Sequence, residues 1–184
     1  MESSYLKSIR KQLEYYKMLA EKAMEQLPEE KLFWQYNDES NSIAVIANHM
    51  AGNMISRFTD FLTTDGEKPW RNRDSEFENI LSSREQLLTR WNQGWACVLQ
   101  ALDNLTEADL ETIVYIRNDG HTVTEAINRQ LAHSAYHVGQ IVFIAKMIKD
   151  TGWKSLSVPR NRSGEYNQRK FDQEKGKRHF TDDL

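Results

Sequence analysis

Two histidines four residues apart, His133 and His137, are the residues whose type and spacing most directly suggest chemistry in this chain. Side chains four positions apart on a helix lie one above the other, so both imidazole rings can reach a single ion. The residues at helical steps on the same face are mainly apolar: Ala126, Gln130, Ile141, Ile144 and Ile148. Because a buried polar group without a partner costs roughly 1–3 kcal/mol, something must satisfy both rings. The pattern therefore indicates a pair of candidate metal ligands.

A third histidine, His49, is followed at four-residue steps by Asn53 and Arg57, which form a polar strip on a largely apolar helix. Facing helices of a bundle commonly build cofactor sites from such inward side chains. Three imidazoles would leave a coordination position open for water or substrate. For each ring, a simple hydrogen bond inside the core is the alternative interpretation. The remaining histidines, His121 and His179, are interpreted as solvated.

Apolar residues at three- and four-residue steps predict four long helices. The first ends before Pro28, and the second runs from about residue 43 to residue 63. Ser82–Glu85 resembles a capping box that begins the third helix. A second capping box at Thr122–Glu125 begins the fourth, which extends to about Asp150. The predicted fold is therefore all-α, a four-helix bundle.

Two further segments complete the prediction. Residues 113–122 contain β-prone residues around an Asn-Asp-Gly sequence, which predicts a short hairpin before the fourth helix. We place a metal-binding bundle over residues 1–152 and a C-terminal tail over 153–184, because the tail carries eight Lys/Arg and five Asp/Glu. The tail is either an ordered wrap over the bundle or partner subunit or a loose basic segment. Its scattered aromatic residues favour partial order.

The composition narrows the classes of function. The formal net charge of −3 provides no basic footprint for a nucleic-acid partner. The first residues lack the apolar core of a secretory signal, and no run approaches the roughly 18 apolar residues of a membrane span. Cys97 is the only cysteine, so no intrachain disulfide can form. We expect a cytoplasmic protein with no membrane segment and a small-molecule substrate.

The segments around the histidines, NSIAVIANHMAGN and RQLAHSAYHVGQIVFIAKMI, resemble the DinB/YfiT-like superfamily of metal-dependent enzymes. The connection DFLTTDGEKPWRNRDSEFE and the later SLSVPRNRSGEYN are similar to one branch of it, and the resemblance covers about residues 1–167. It implies a four-helix bundle of the DinB/YfiT type, often a homodimer, with one Zn, Ni, Fe or Mn ion. Carried over by position, the ligands are His49, His133 and His137. Better-understood relatives include isomerases and S-transferases that use low-molecular-weight thiols.

The leading hypothesis is therefore a metal-dependent enzyme with an open three-histidine site, acting as a thiol-dependent S-transferase or as a hydrolase. Asn53 and Gln140 are candidates to orient a ring or a bound water. Arg57 and Arg129 are candidates to hold an anionic substrate, such as the carboxylates of a thiol cosubstrate, and no catalytic base is identified. The alternatives are a non-catalytic metal- or ligand-binding stress-response protein and a purely structural bundle with hydrogen-bonded histidines.

Overall fold

The structure, a computed structural model, describes residues 4–182 and is mostly helical, as the sequence predicts. Four long helices are α1 (Ser4–Glu25), α2 (Ile43–Phe58), α3 (Arg84–Asp103) and α4 (Val123–Lys149). A hairpin of β1 (Ile113–Ile116) and β2 (Asp119–Thr122) precedes α4, and a short helix α5 (Ser163–Phe171) lies in the C-terminal segment. Within this part of the chain, no helix has both the length and the apolar character that crossing a membrane requires.

The four long helices share one hydrophobic core. Helix α2 packs along α3, α1 packs along α4, and α2 also contacts α4. The centre of the core holds two fully buried tryptophans of α3, Trp91 and Trp95, whose ring centroids lie 5.4 Å apart. The Trp91 indole N–H donates a hydrogen bond to the Glu21 carboxylate of α1. This packing sets the inward face of α2 opposite the inward face of α4.

Side-chain caps determine where the helices begin. The Ser42 hydroxyl accepts a hydrogen bond from a backbone N–H of the first turn of α2, and Thr122–Glu125 forms the predicted capping box of α4. The predicted box at Ser82–Glu85 is wrong by one residue, because Ser83 is the cap and accepts from the Gln86 N–H. Helix α2 ends at Phe58, short of the predicted residue 63, because the backbone becomes extended at Thr59.

The hairpin before α4 is confirmed, but its turn begins one residue before the predicted Asn-Asp-Gly and includes only Asn118 of that sequence. Ile116 pairs with Asp119, so Arg117 and Asn118 form the turn with φ of 56° and 64°. The Asp65 carboxylate accepts hydrogen bonds from both of their backbone N–H groups, each at 2.8 Å. This contact ties the hairpin to the connection between α2 and α3 and brings Arg117 to the end of α2.

The C-terminal segment returns to the first helix. Trp153 packs against the hydrophobic core, and the next residue exchanges hydrogen bonds with Gln26 after the end of α1. Farther along, the Phe180 ring lies edge-on to Tyr15, at 5.4 Å between centroids, and His179 contacts Ser8. Both ends of the segment thus lie against α1 or its C-terminal end, while the division at residues 152 and 153 stays a prediction.

Candidate metal centre

The three predicted histidines meet between α2 and α4. One ring nitrogen from each of His49, His133 and His137 lies within 4.8 Å of the other two. The Nε2 atoms of His49 and His133 are 3.3 Å apart, and a tetrahedral ion with bonds of about 2.0–2.1 Å to two imidazoles needs a separation of about 3.3 Å. The arrangement can therefore hold one metal ion.

The outer nitrogens of two rings have partners that fix their orientation. His49 Nδ1 lies 3.0 Å from a carboxylate oxygen of Glu76, and His137 Nδ1 lies 3.0 Å from the amide oxygen of Gln140. An Nδ1–H that donates to such an oxygen leaves the lone pair on Nε2, which is the arrangement that metal-binding histidines use. Among the described residues, the buried Nδ1 of His133 has no hydrogen-bond partner. Two of the three rings are thus held in the tautomer that a metal requires.

The rings on α4 are neutral at pH 7. Burial, the neighbouring His137 and His49 rings and, more weakly, Arg71 and Arg57 lower the pKa of His133 to about 3. Burial also lowers the pKa of His137, against the opposing effect of its hydrogen bond to Gln140. Neutral imidazole is the form that binds a metal, so little proton competition is expected near neutral pH.

Glu76 is a site residue that the sequence analysis did not identify. It lies in a 3₁₀ turn, Asp74–Phe77, within the connection between α2 and α3. Its buried carboxylate accepts two hydrogen bonds from Arg71, at 2.8 and 2.9 Å, in addition to its contact with His49. Burial alone raises the pKa of Glu76, but the hydrogen bonds from His49 and Arg71 outweigh it and lower the pKa below its ordinary value. The carboxylate is therefore ionised and committed to these two partners.

A glycine of α2 makes room for this carboxylate. A Cβ atom on Gly52 would collide with Oε1 of Glu76, so no larger residue fits there without moving the glutamate. The Asn48 side chain donates to the backbone oxygen of Glu76, and the Phe77 ring stacks on His49 at 4.6 Å between centroids. Two residues of this turn, Glu76 and Phe77, thus contact the His49 ring from outside, and Asn48 holds the turn in place. The irregular connection has no sequence periodicity from which these contacts could be predicted. The one signal in the sequence was that a buried histidine needs a hydrogen-bond acceptor.

A cavity of about 220 Å³ opens beside His49 and His133. Of the other sequence-predicted residues, Asn53, Arg57 and Arg129 line it. Asn53 makes no hydrogen bond to a ring in the described part of the chain, whereas Gln140 lies outside the cavity and contacts His137. The cavity gives a small molecule access to the space beside the rings.

The other two histidines lie outside this cluster. His121 is half-buried on β2, and His179 is half-buried against Ser8, so the interpretation of both as solvated is wrong. Within residues 4–182, the cluster formed by His49 and the α4 pair is the single group of three or more His, Cys, Asp or Glu side chains placed to share an ion.

The fold and the site define a mostly helical protein with a three-histidine cluster that can hold a metal ion. Residues 1–162 match the model of a family described as a protein of unknown function (DUF1572), and the chain belongs to this family. No curated protein and no solved structure matches the chain. The family description specifies no reaction, so the function has to be argued from the site.

Acidification should destabilise the metal-free protein through His133. The unfolded chain has an ordinary histidine pKa of 6.5 and the folded chain one of about 3, so the unfolded state binds more protons between these values. Stability therefore rises with pH through this window, and the free energy of unfolding should fall by about 1–2 kcal/mol from pH 7 to pH 5. Denaturant titrations in the presence of a chelator measure it.

The matched control is His133→Gln, which removes this titration and keeps His137. Carboxylates with a lowered pKa, such as Glu76, are present in both proteins, so any contribution that they make cancels in the comparison. The variant should lose less stability than the wild type between pH 7 and pH 5. Equal losses in the two proteins would show that the ring is not buried in its neutral form.

Proposed function

We propose that the protein is a metal-dependent enzyme in which His49, His133 and His137 hold one divalent ion. The observation that supports this most strongly is the convergence of three ring nitrogens within 4.8 Å beside an open cavity. Three protein ligands leave room for a water or substrate atom. A metal bound there would lower the pKa of a coordinated water or thiol and supply a nucleophile near neutral pH.

The residues present fit such an ion. The hydrogen bond between His49 and Glu76 matches the carboxylate–histidine pairs that surround protein metal sites, and Gln140 serves His137 in the same way. Imidazole nitrogen suits zinc, nickel and iron, and the resemblance adds manganese. The identity of the divalent ion is therefore left to measurement.

The resemblance to the DinB/YfiT-like superfamily supports the finer proposals. The order of four long helices, with histidines on the second and fourth, is the arrangement that this resemblance implies. From this resemblance we propose that the protein is a bundle of the DinB/YfiT type, that it forms a homodimer, and that it uses a low-molecular-weight thiol as cosubstrate. The proposed reaction is S-transfer to an electrophile, or hydrolysis. The cytoplasmic location is proposed on composition.

The chain's own residues have defined tasks in this proposal. Glu76 and Gln140 orient the ring nitrogens, and the cavity admits a substrate to the open coordination position. Arg57 and Arg129 line the cavity and would bind an anionic group of the substrate.

A second candidate function is metal or ligand binding without turnover, as in a stress-response protein. No carboxylate lines the cavity within residues 4–182, and the nearby carboxylate of Glu76 is committed to Arg71 and His49. The site therefore presents no free side-chain base, which is the observation that favours this candidate. Catalysis would have to depend on a metal-activated nucleophile alone.

Freshly purified, untagged protein should contain one divalent ion per chain. His133→Ala should retain less than a tenth of it, because one of three ligands is lost. His179→Ala, which removes a histidine outside the cluster, should retain all of it. Elemental analysis measures these ratios, and metal far below one equivalent under every condition would contradict the proposal.

The metal-loaded protein should also accelerate the reaction of bacillithiol, mycothiol or glutathione with an electrophile, and His133→Ala should abolish the acceleration. Metal retention without any rate above background, for thiol transfer and for hydrolysis, would favour the binding protein over the enzyme.

Gly52→Ala should weaken metal binding without altering a ligand. The added Cβ displaces the Glu76 carboxylate, and the loss of such an outer partner lowers metal affinity by about 10- to 100-fold. Competition with a chromophoric chelator measures the dissociation constant. Gly139→Ala, on an open face of α4 where no atom lies within 4 Å of the new Cβ, is the matched control and should bind as the wild type does.

Glu76→Gln provides an independent variant of the same contact, since it keeps the shape of the side chain and removes the charge. Unchanged metal affinity in both Gly52→Ala and Glu76→Gln would contradict a supporting role of the carboxylate.

A further inference from the structure

The cavity beside the histidines is lined by several positively charged side chains. Five arginines surround it: Arg57, Arg71, Arg73, Arg117 and Arg129. They come from α2, from the α2–α3 connection, from the hairpin turn and from α4, so four separate parts of the fold bring guanidinium groups to one small space. Such a concentration of one sign of charge creates a strong local field for anions.

Two carboxylates nearby compensate this charge only in part. A single oxygen of Glu67 lies 3.4 Å from Arg57, 3.3 Å from Arg71 and 3.1 Å from Arg117. The second carboxylate, that of Glu76, pairs with Arg71. One glutamate is thus shared among three guanidinium groups.

The other two arginines have no carboxylate partner within the described residues. Arg73 lies over the Phe77 ring, 5.0 Å from its centroid. Arg129 makes neither an ion pair nor a hydrogen bond in the part of the chain that the structure describes, and its charge acts on Arg57 across the cavity. Their donors are therefore available to a ligand.

The excess of positive charge around the cavity affects Arg57 most clearly. Only 11% of its side chain is exposed, and its Nη1, which lies 3.4 Å from the Glu67 carboxylate, makes no hydrogen bond within residues 4–182. Burial, followed by the charge of Arg71 and more weakly of Arg129 and Arg117, lowers the pKa of Arg57 to about 10, although Glu67 opposes the shift. Buried charges are normally paired and hydrogen-bonded, so an anion in the cavity would add to the partial compensation that Glu67 gives Arg57.

The dimensions of the cavity indicate the size of that anion. A volume of about 220 Å³ admits a small molecule and no polymer chain. Apolar side chains of Phe58, Phe61 and Ile116 also line the cavity. His49 and His133 lie at the same cavity. A ligand held by the arginines would therefore lie next to the ring nitrogens.

We propose that the arginine-lined cavity binds a small-molecule substrate carrying at least two negative charges, as two carboxylates or as a phosphate, and holds it against the three-histidine site. This inference rests on the proposed function for its reference to a substrate. At least two charges are specified because Arg73 and Arg129 lack carboxylate partners and Arg57 shares only one. Guanidinium groups bind carboxylate and phosphate oxygens in pairs, which matches either chemistry.

The test is isothermal titration of the chelator-treated, metal-free protein at constant ionic strength with inorganic phosphate, succinate and acetate. Phosphate or succinate should bind at least tenfold more tightly than acetate, because a single carboxylate engages fewer of the arginines. If phosphate binds more tightly than succinate, the substrate carries a phosphate group; if succinate binds more tightly, it carries two carboxylates.

Two variants test the residues. Arg57→Gln and Arg129→Gln should each weaken anion binding at least tenfold, and Arg129 is exposed, so its replacement should leave the fold intact. Arg160→Gln removes an equal charge from the exposed C-terminal segment and should leave binding unchanged. Equal affinity for all three anions, or unchanged affinity in both cavity variants, would overturn the proposal whatever the metal content. If the anion binds as expected but freshly purified protein contains no metal under any condition, the proposed metalloenzyme is overturned and the anion site stands.

Discussion

The carboxylate of Glu76 is buried between a guanidinium and an imidazole, and the geometry of the whole site depends on this contact. A buried charge is tolerated only when it is paired and hydrogen-bonded, and the hydrogen bonds from Arg71 and His49 satisfy both carboxylate oxygens. Gly52 provides the space on α2 that brings the glutamate so close. One contact therefore anchors an irregular connection to a helix and orients a histidine ring.

The same contact explains the charge of the cavity. Since Glu76 is committed to Arg71, its charge is not available to the other arginines, and only Glu67 remains to balance several of them. Burial and the other two histidine rings are the main causes of the lowered pKa of His133, and the charges of Arg71 and Arg57 add to it. The arginines that line the cavity thus favour the neutral form of a neighbouring imidazole, which is the form that binds a metal.

Local patterns in the sequence predict the elements that obey local rules. The four-residue spacing of His133 and His137 and the box at Thr122–Glu125 follow from helix geometry, and both are found on α4. The family resemblance, rather than the sequence pattern, predicts that His49 lies near this pair. The pattern along one helix shows which face is buried but not which other helix lies against it.

The contacts that sequence reasoning missed are long-range ones. Glu76 and Arg71 lie in a connection without periodicity, so only the folded chain shows that they meet His49. The hairpin turn lies at Arg117 and Asn118, where the carboxylate of Asp65, distant in sequence, accepts hydrogen bonds from both of their backbone N–H groups. In each case a carboxylate makes a contact that is long-range in sequence and that no local pattern predicts.

The most direct test of the account is X-ray absorption spectroscopy at the edge of the bound metal, on metal-loaded wild-type protein and His49→Ala. The account predicts three imidazole nitrogens at about 2.0–2.1 Å together with at least one ligand from water or buffer in the wild type. One imidazole fewer is predicted in the variant. Two or fewer imidazoles in the wild type, or the same imidazole count in both proteins, would contradict the claim that α2 and α4 hold one ion between them.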